Sequence, residues 1–344
     1  MTEATGLKHL SLGAVHDLAF NCLKANGCDD ANAQAIADNL TAAERDRSES
    51  HGLFRLPGYV ASLRSGKADG KAQPRIEDAA PGVVRVDALG GFAPLALEAG
   101  RKPLAAKARS QGIAALALVG VHHFAALWPE VEALAHEGLV AFACTSTLPF
   151  AAPAGGAKPL FGTDPVAFAW PRKDGPPVVF DMATTAMARG EVMIAAREGH
   201  DVPLGVGLDG DGQPTRDPKA ILDGGVMLPF GDYKGSAISM MVELLAGALI
   251  GEVFSFQAGA ADNRDGGPTR GGEFILAIDP ARTSGGADWL GQGEVLFHQM
   301  LETGAAPGQV RLPGDRRYAN REKTPQDGVA IPGALYEKIV ELTG

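Results

Sequence analysis

The chain has 344 residues, 45% of them apolar, and a formal net charge of −10. This length and composition can bury a full core in one large domain or in two interleaved ones. The negative charge argues against a nucleic-acid partner, because neutralising phosphates requires clustered Lys and Arg. The three cysteines, Cys22, Cys28 and Cys144, form no CxxC pair. They therefore indicate neither a disulfide framework nor a thiolate zinc site, and they favour a reducing, cytoplasmic setting.

Two stretches bear on export and membrane insertion. The N-terminal MTEATGLKHLSL lacks a basic start followed by an apolar core and a cleavage site, so it does not predict a signal peptide. The apolar stretch at 236–251 contains Glu243 and is shorter than the ~20 residues that span a bilayer. We therefore expect a buried helix there and no membrane partner.

The first 47 residues have the apolar spacing of two amphipathic helices. Gly27 ends the first helix, and Asp29 or Asp30 caps the second. Pro57 suits the first turn of another short helix, which ends near Gly66. A helical unit is therefore predicted at the start of the chain.

From about residue 82 the pattern changes to short apolar or alternating runs bounded by Gly, Pro or Asp, which predict strands. These runs are GVVRVDA, IAALALVG, LVAFACTS, PVAFAWP, PVVFDMA and EFILAID. Helical patterns separate several of them, the longest at 95–110 and 234–251, and a last helix is predicted from Pro332 to about Leu342. The predicted fold class is α/β, more specifically α+β.

The region 203–231 is rich in Gly, Pro and Asp and predicts a long ordered excursion, a kind of segment that is often functional. Within it, GVGLDG at 205–210 has the G-x-G-x-x-G spacing of a dinucleotide loop. It follows Pro203 rather than a strand and precedes DGQPTRDP rather than a helix, so the phosphate-cradling geometry is not predicted. No Walker A sequence occurs either.

The stretch SESHGLFRLPGY places His51 and Arg55 four residues apart, on one face if the segment is helical. An Arg side chain can hold a carboxylate with two hydrogen bonds, and an imidazole with a pKa near ~6.5 can exchange a proton at neutral pH. An α-keto or α-imino acid needs both groups, and the Ser50 hydroxyl could orient the imidazole. The alternative is the polar end of a surface helix.

Adjacent histidines, His122 and His123, stand at a strand-to-helix junction. Neighbouring side chains usually point apart, and no carboxylate or cysteine of ligand spacing accompanies them, so no metal site is predicted. The helix N-terminus there could bind a phosphate. The alternative is one buried and one solvated histidine.

Charged residues follow two other predicted elements. Asp181 ends an apolar strand, where it could serve a site or cap a helix, and Glu191 lies in the helix that follows, where it could be solvated. Lys234 begins an apolar helix, and RLPGDRR groups Arg316 and Arg317 with a third arginine. These cations could contact phosphates or be ordinary surface charge.

Six motifs together carry a resemblance over nearly the whole chain. They are SHGLFRLPGY, HHFAALWPEVE, PAGGAKPLFGTDP, FDMATTA, LDGGVMLPFGDYKGSAISMMVELLAG and RLPGDRR. In this order and spacing the chain resembles the malate/L-lactate dehydrogenase family, NAD(P)H oxidoreductases that lack a Rossmann domain. Within this family, the motifs are most similar to those of the reductases of delta-1-piperideine-2-carboxylate and delta-1-pyrroline-2-carboxylate.

The resemblance implies a homodimer with a central, mostly antiparallel sheet and an extended non-Rossmann cofactor groove, flanked by helices from both chain ends. It implies a helical substrate and dimerisation part at 1–80 with 307–344, and an NAD(P)H-binding α/β part at 81–306.

The resemblance also implies the roles of individual residues. His51 would donate the proton, with Ser50 and Glu191 as its relay, and Arg55 would hold the substrate carboxylate. Thr163, Arg189 and Gly190 would lie near the substrate. The cofactor would contact His123, Phe124, Ala125, Ala126, Leu127, Asp181, Met182, Ala183, Lys234, Arg311, Leu312, Pro313, Gly314, Asp315, Arg316 and Arg317.

Three positions depart from that subgroup. Glu191 replaces an expected Asp, Arg189 an expected His, and Ser146 an expected Asn. These changes leave the class of chemistry intact and leave substrate size and the proton relay open.

The expected function is NADPH-dependent reduction of a cyclic α-imino acid to L-proline or L-pipecolate, with NADH as the other possible cofactor. One alternative is a reductase of open-chain 2-oxo acids, which need the same clamp and the same acid. Another is a small-molecule binding protein without catalysis, against which the Ser50, His51 and Arg55 cluster argues.

Overall fold

The computed structural model describes residues 6–123, 125–306 and 308–344. Its strands are β1 (Leu7–Leu10), β2 (Arg75–Ala80), β3 (Val83–Asp87), β4 (Ile113–His122), β5 (Val140–Thr145), β6 (Val166–Trp170), β7 (Val178–Met182), β8 (Gly207–Leu208), β9 (Pro214–Thr215), β10 (Val226–Met227), β11 (Arg270–Ile278) and β12 (Val329–Pro332). Its α-helices are α1 (Leu12–Ala25), α2 (Asp30–Arg45), α3 (Leu56–Ser65), α4 (Ala93–Gln111), α5 (Trp128–His136), α6 (Arg189–Glu198), α7 (Pro218–Leu222), α8 (Tyr233–Ala246), α9 (Ser255–Ala261), α10 (Pro280–Thr283), α11 (Trp289–Glu302), α12 (Asp315–Asp327) and α13 (Gly333–Thr343).

The two ends of the chain share one helical layer. Buried apolar residues of α1, α2, α3 and α13 form a single cluster that includes Val15, Leu40, Tyr59 and Ile339. β1 pairs antiparallel with β12 and ties the ends together. The sequence predicted these helices because each presents an apolar stripe to the others. The part boundaries predicted at residues 80 and 306 stay a prediction.

A seven-stranded sheet in the order β2-β3-β4-β11-β5-β6-β7 forms the centre. β3 and β4 are parallel, and the other neighbouring pairs are antiparallel, which confirms the predicted, mostly antiparallel α/β architecture. The helices α4 and α5 cover one face through residues such as Leu104 and Val131. The helix α8 packs on the other face through Val242 and Ala246.

The predicted long excursion is an ordered unit of its own. β10, β8 and β9 form a small antiparallel sheet, which packs with α6 and α7 through residues such as Val192 on α6 and Ile221 on α7. GVGLDG crosses β8 and enters a turn, so it precedes no helix. The sequence-based exclusion of a glycine-rich dinucleotide loop at this position is thus confirmed.

The apolar helix α8 is shorter and less buried than predicted. It ends at Ala246 and is followed by a 3-10 turn at Ala248–Ile250. By length and composition Tyr233–Ile250 could cross a membrane, and 39% of it is buried in this fold. Met240, Leu244 and other residues on its outer side are exposed, so the prediction of a buried helix holds for one face only.

Candidate active site

The segment that carries His51 and Arg55 consists of two consecutive 3-10 turns, Glu49–His51 and Leu53–Arg55, between α2 and α3. The carboxylate of Glu44 on α2 fixes this segment, because its Oε1 accepts a hydrogen bond of 2.7 Å from the backbone N–H of Leu53. A side chain at position 52 would collide with Glu44. Glycine there lets the segment lie directly on α2.

His51 is held beside a hydroxyl and two other basic side chains. Its Nδ1 lies 3.1 Å from the Ser50 Oγ. Burial, and then the charges of Arg55 and His123, lower the pKa of His51 to about 3. The imidazole is therefore neutral at pH 7, and its Nε2 is the ring nitrogen left for a ligand.

Two arginines converge at this site. Burial lowers the pKa of Arg55 to about 10, and burial together with the charge of Arg55 lowers that of Arg189 to about 10. Arg189 stacks on the Phe150 ring at 3.6 Å, and no carboxylate in the described part of the chain pairs with it. Two desolvated cations beside one another favour an anion between them.

Gly190 explains how the second arginine reaches the first. A Cβ at position 190 would lie 2.8 Å from the Ser50 Cβ, so only glycine lets the start of α6 approach this closely. The structure thus brings together Ser50, His51, Arg55, Arg189 and Gly190, and their individual roles stay predictions.

Glu191 and Thr163 are placed differently from these five residues. Glu191 is exposed, and its carboxylate makes no hydrogen bond to His51 or to any other described side chain. The contacts of Thr163 run to Thr147 and Thr184. Their predicted parts in the relay and in substrate binding stay predictions.

Both adjacent histidines are buried, so the expectation of one solvated histidine is wrong. His122 is 6% exposed, and the His123 side chain is 4% exposed. Two carboxylates, Glu130 on α5 and Glu273 on β11, come so close to His123 that ligand atoms of all three lie within 4.8 Å of one another. The spacing of residues along the chain gives no sign of this set, because Glu273 is far from the histidines in sequence. The set could hold a proton or a divalent cation.

Several segments predicted to bind a cofactor meet at the end of β7. The Asp181 Oδ2 accepts hydrogen bonds from the backbone N–H groups of Leu127, at 2.8 Å, and Trp128, at 3.1 Å. Asp181 therefore caps α5 rather than the helix that follows it in sequence. Burial raises its pKa. This cap places Ala125–Leu127 beside Asp181–Ala183; Phe124 lies outside the described residues.

The RLPGDRR segment borders a cavity of about 790 Å³. Arg311, Arg316 and Arg317 line it, and the Arg317 guanidinium lies 4.8 Å from the Trp128 ring. The Nη1 of Arg317 is buried and has no hydrogen-bond partner in the described structure. Three cations, one with an unused donor, fit the phosphates of a dinucleotide. The remaining predicted residues of this segment, Leu312, Pro313, Gly314 and Asp315, form its backbone turn.

Lys234 lies near the same strand end. Gly235 packs on the carbonyl oxygen of Thr184, two residues beyond β7, which sets the start of α8 beside that strand. Lys234 itself is exposed. The exposed Met182 and the half-buried Ala183 complete this edge.

A histidine beside two arginines, together with an arginine-lined groove whose described residues form no glycine-rich dinucleotide loop, is compatible with a dinucleotide-dependent oxidoreductase of non-Rossmann type. A family model described as malate/L-lactate dehydrogenase matches residues 10–340. The chain belongs to this family, and its membership implies a nicotinamide cofactor.

Relatives of known name are similar over almost the full length. The Delta(1)-pyrroline-2-carboxylate/Delta(1)-piperideine-2-carboxylate reductase of Pseudomonas aeruginosa is 49% identical, covering 97% of this chain and 98% of that protein. The Delta(1)-pyrroline-2-carboxylate reductase of Ancylobacter novellus is also 49% identical, covering 97% of each chain. The crystal structure of delta1-piperideine-2-carboxylate reductase from Pseudomonas syringae has a TM-score of 0.91 at 47% identity, over 97% of this chain and 99% of that one.

Proposed function

We propose that this enzyme reduces cyclic α-imino acids with NADPH, converting delta-1-pyrroline-2-carboxylate to L-proline and delta-1-piperideine-2-carboxylate to L-pipecolate. The observation that carries the proposal is the pair of desolvated arginines, Arg55 and Arg189, next to the neutral imidazole of His51. The names of the relatives support the same substrates.

The substrate carboxylate binds between the two arginines. Arg55 also donates from Nε to the backbone oxygen of Ser50, at 2.6 Å, which orients the guanidinium. Holding the carboxylate fixes the neighbouring C2 and nitrogen atoms and converts a bimolecular encounter into an oriented one. A reduced nicotinamide, when bound, supplies the hydride that C2 receives.

His51 protonates the substrate nitrogen. The bound carboxylate offsets the charge of Arg55, which otherwise lowers the pKa of His51, and so favours the imidazolium form. Proton uptake is thereby coupled to substrate binding. Ser50 contacts Nδ1 and leaves Nε2 to donate.

The groove lined by Arg311, Arg316 and Arg317 holds the cofactor phosphates, and its neighbouring arginines favour the 2′-phosphate of NADPH over the hydroxyl of NADH. Ala125–Leu127 and Asp181–Ala183, which the hydrogen bonds of Asp181 bring together at the end of β7, contact the cofactor outside this groove.

The enzyme acts in the cytoplasm as a homodimer. The exposed apolar side chains Met240, Leu244 and Phe256 border one cavity and support association of two copies. The molar mass in solution, measured by light scattering, tests the dimer.

The test is steady-state kinetics on both cyclic imino acids and on a panel of 2-oxo acids, each with NADPH and NADH. We expect the highest kcat/KM for a cyclic imine with NADPH. Dominance of a 2-oxo acid would reject the imine assignment, and cofactor binding without any turnover would indicate a binding protein.

A variant tests the donor. His51→Ala should lower kcat/KM by about 10²–10⁴-fold, the usual contribution of a positioned acid, whereas His298→Ala, at an exposed histidine on α11, should retain the parent value. A His51→Ala enzyme within a few-fold of the parent would refute the role of His51.

A further inference from the structure

The buried set of His123, Glu130 and Glu273 lies beside the active site and has no part in the steps above. Glu130 is 4% exposed and Glu273 is fully buried. His123 Nε2 lies 3.1 Å from the Glu273 Oε2, but not in line for a hydrogen bond. Both oxygens of Glu273 and the Oε2 of Glu130 have no hydrogen-bond partner in the described structure. These are unsatisfied groups in a dry interior.

Two carboxylates in one dry site do not both ionise. Burial, followed by the charge of Glu273, raises the pKa of Glu130 well above its usual value. The other titratable groups that face the set are Arg101, Asp181 and Tyr59 toward Glu130, Cys144 toward Glu273, and His51 and Asp181 toward His123. Only Arg101 and His51 among them can be cations, so a proton on the carboxyl pair is the simplest neutralisation.

Glu130 also reaches a second cavity, of about 280 Å³, on the side of α5 away from the sheet. Glu98, Arg101, His136 and Asp38 are among the residues that line it. The carboxyl pair therefore stands between this cavity and His123, whose charge in turn is felt by His51.

We propose that Glu130 and Glu273 share one proton and supply it through His123 to His51, which makes them positioning residues for the reduction. The inference rests on the proposed function. When C2 gains the hydride, the C=N electron pair moves to nitrogen, which takes a proton from His51. Glu273 returns a proton through the His123 imidazole, Glu130 restores it to Glu273, and a proton from water in the cavity restores Glu130.

Infrared spectroscopy of the full-length enzyme without substrate tests the shared proton directly. The parent should show the C=O stretch of a protonated carboxylic acid, and the double variant Glu130→Gln with Glu273→Gln should lose the intensity of one such group. Glu132→Gln, a buried carboxylate on the same helix that pairs with Arg321, should keep that intensity. An unchanged band in the double variant would overturn the shared proton, whatever the substrate proves to be.

Kinetics then test the supply of the proton. In Glu273→Gln and in Glu130→Gln, kcat should fall at least tenfold, with a larger solvent deuterium isotope effect and a flattened pH profile, while KM for the imino acid stays within about threefold because the arginine clamp is untouched. Glu132→Gln should lower thermal stability without changing the pH profile. Parent values of kcat, isotope effect and pH profile in both single variants would overturn the route.

A bound cation is the competing outcome. Elemental analysis of the purified enzyme before and after chelation should show no stoichiometric divalent metal. One equivalent per chain that Glu273→Gln loses would overturn proton sharing. The infrared measurement needs no substrate, so it tests the shared proton even if the parent enzyme reduces no imine. A failure of the shared proton can therefore be told apart from a failure of the proposed function.

Discussion

The molecule contains two groups of arginines that differ in their access to water. Arg55 and Arg189, called the dry pair below, are half-buried among other side chains, and this burial lowers the pKa of each to about 10. Arg311 and Arg316 are exposed along an open groove. A dry pair interacts strongly with one small carboxylate, because little water screens it, whereas an exposed row suits a long ligand with several phosphates. Under the proposed function, substrate recognition and cofactor recognition therefore take place in different dielectric environments.

The two groups are also assembled differently. The exposed arginines are neighbours in one short segment, but the dry pair joins a 3-10 turn near the start of the chain to the first turn of α6. Their proximity depends on Gly190 packing against Ser50. The dry pair is therefore the more sensitive of the two to changes in tertiary structure.

The largest expected effect comes from the dry pair. Arg55→Lys should lower kcat/KM for the imino acid by about 10³-fold, equivalent to about 4 kcal/mol, because an ammonium cannot form the two parallel hydrogen bonds and the Ser50 contact together. The KM for NADPH should change by less than about threefold. Steady-state kinetics at saturating cofactor measure both.

A matched control is Arg64→Lys on α3, the short helix that follows Arg55, where the arginine is exposed and bonds to Asn26. It should keep the parent kcat/KM. If Arg55→Lys raised the KM for NADPH as much as that for the imino acid, the division between the two arginine groups would be wrong.

The sequence predicted what depends on local spacing. The relation of His51 to Arg55, the capping of α2 by Asp29 and the six apolar strands are encoded within a few residues each. The exposed strand β2 was missed because its outward side chains lack the alternation that marks a half-buried strand.

Partnerships between distant residues could not be predicted in this way. Glu273 meets His123 only because β11 pairs with the end of β4, and Asp181 caps α5 because β7 ends beside it. Without knowledge of this topology, the sequence around Glu273 shows only the pattern of an ordinary strand. Glu191, which was expected behind His51, is exposed in this fold, and its part in the relay stays a prediction.

The dry site should also cost folding stability, in a way that depends on pH. Burial raises the pKa of Glu44, which holds the Leu53 N–H beneath the dry pair, from 4.5 to about 7. Below about pH 4.5 the Glu44 carboxyl is protonated in both the folded and the unfolded protein. Between these values only the folded state keeps the proton, so the free energy of unfolding should fall by about 3 kcal/mol as pH rises to 7.

Urea unfolding from pH 4.5 to 8 measures this dependence. Glu44→Gln keeps a carbonyl oxygen for the Leu53 N–H and should lose the decrease, whereas Glu322→Gln, at an exposed position, should keep it. Parallel pH curves for the parent and Glu44→Gln would show that Glu44 stays ionised in the fold.

The groove arginines, of which Arg316 is exposed and Arg317 is half-buried, should have smaller and more selective effects. Arg316→Gln and Arg317→Gln should each raise the KM for NADPH about tenfold, near 1.4 kcal/mol, the scale of one charge-assisted contact in a partly solvated groove. The KM for NADH and that for the imino acid should stay within about twofold. Lys323→Gln, exposed on the same helix but outside the groove, is the control. Equal losses for both cofactors would place these arginines away from the 2′-phosphate.

The smallest expected effect is that of ionic strength on KM, which distinguishes the two groups of arginines without any mutation. Raising the ionic strength from about 0.01 to about 1 M shortens the Debye length from about 30 to about 3 Å, so KM for NADPH should rise several-fold. The KM for the imino acid should change by less than about twofold, because counterions do not enter the dry site between Arg55 and Arg189. Potassium chloride suits the titration, since sulfate or phosphate would compete for the groove. An equal rise in both KM values would mean that water and ions reach both groups alike.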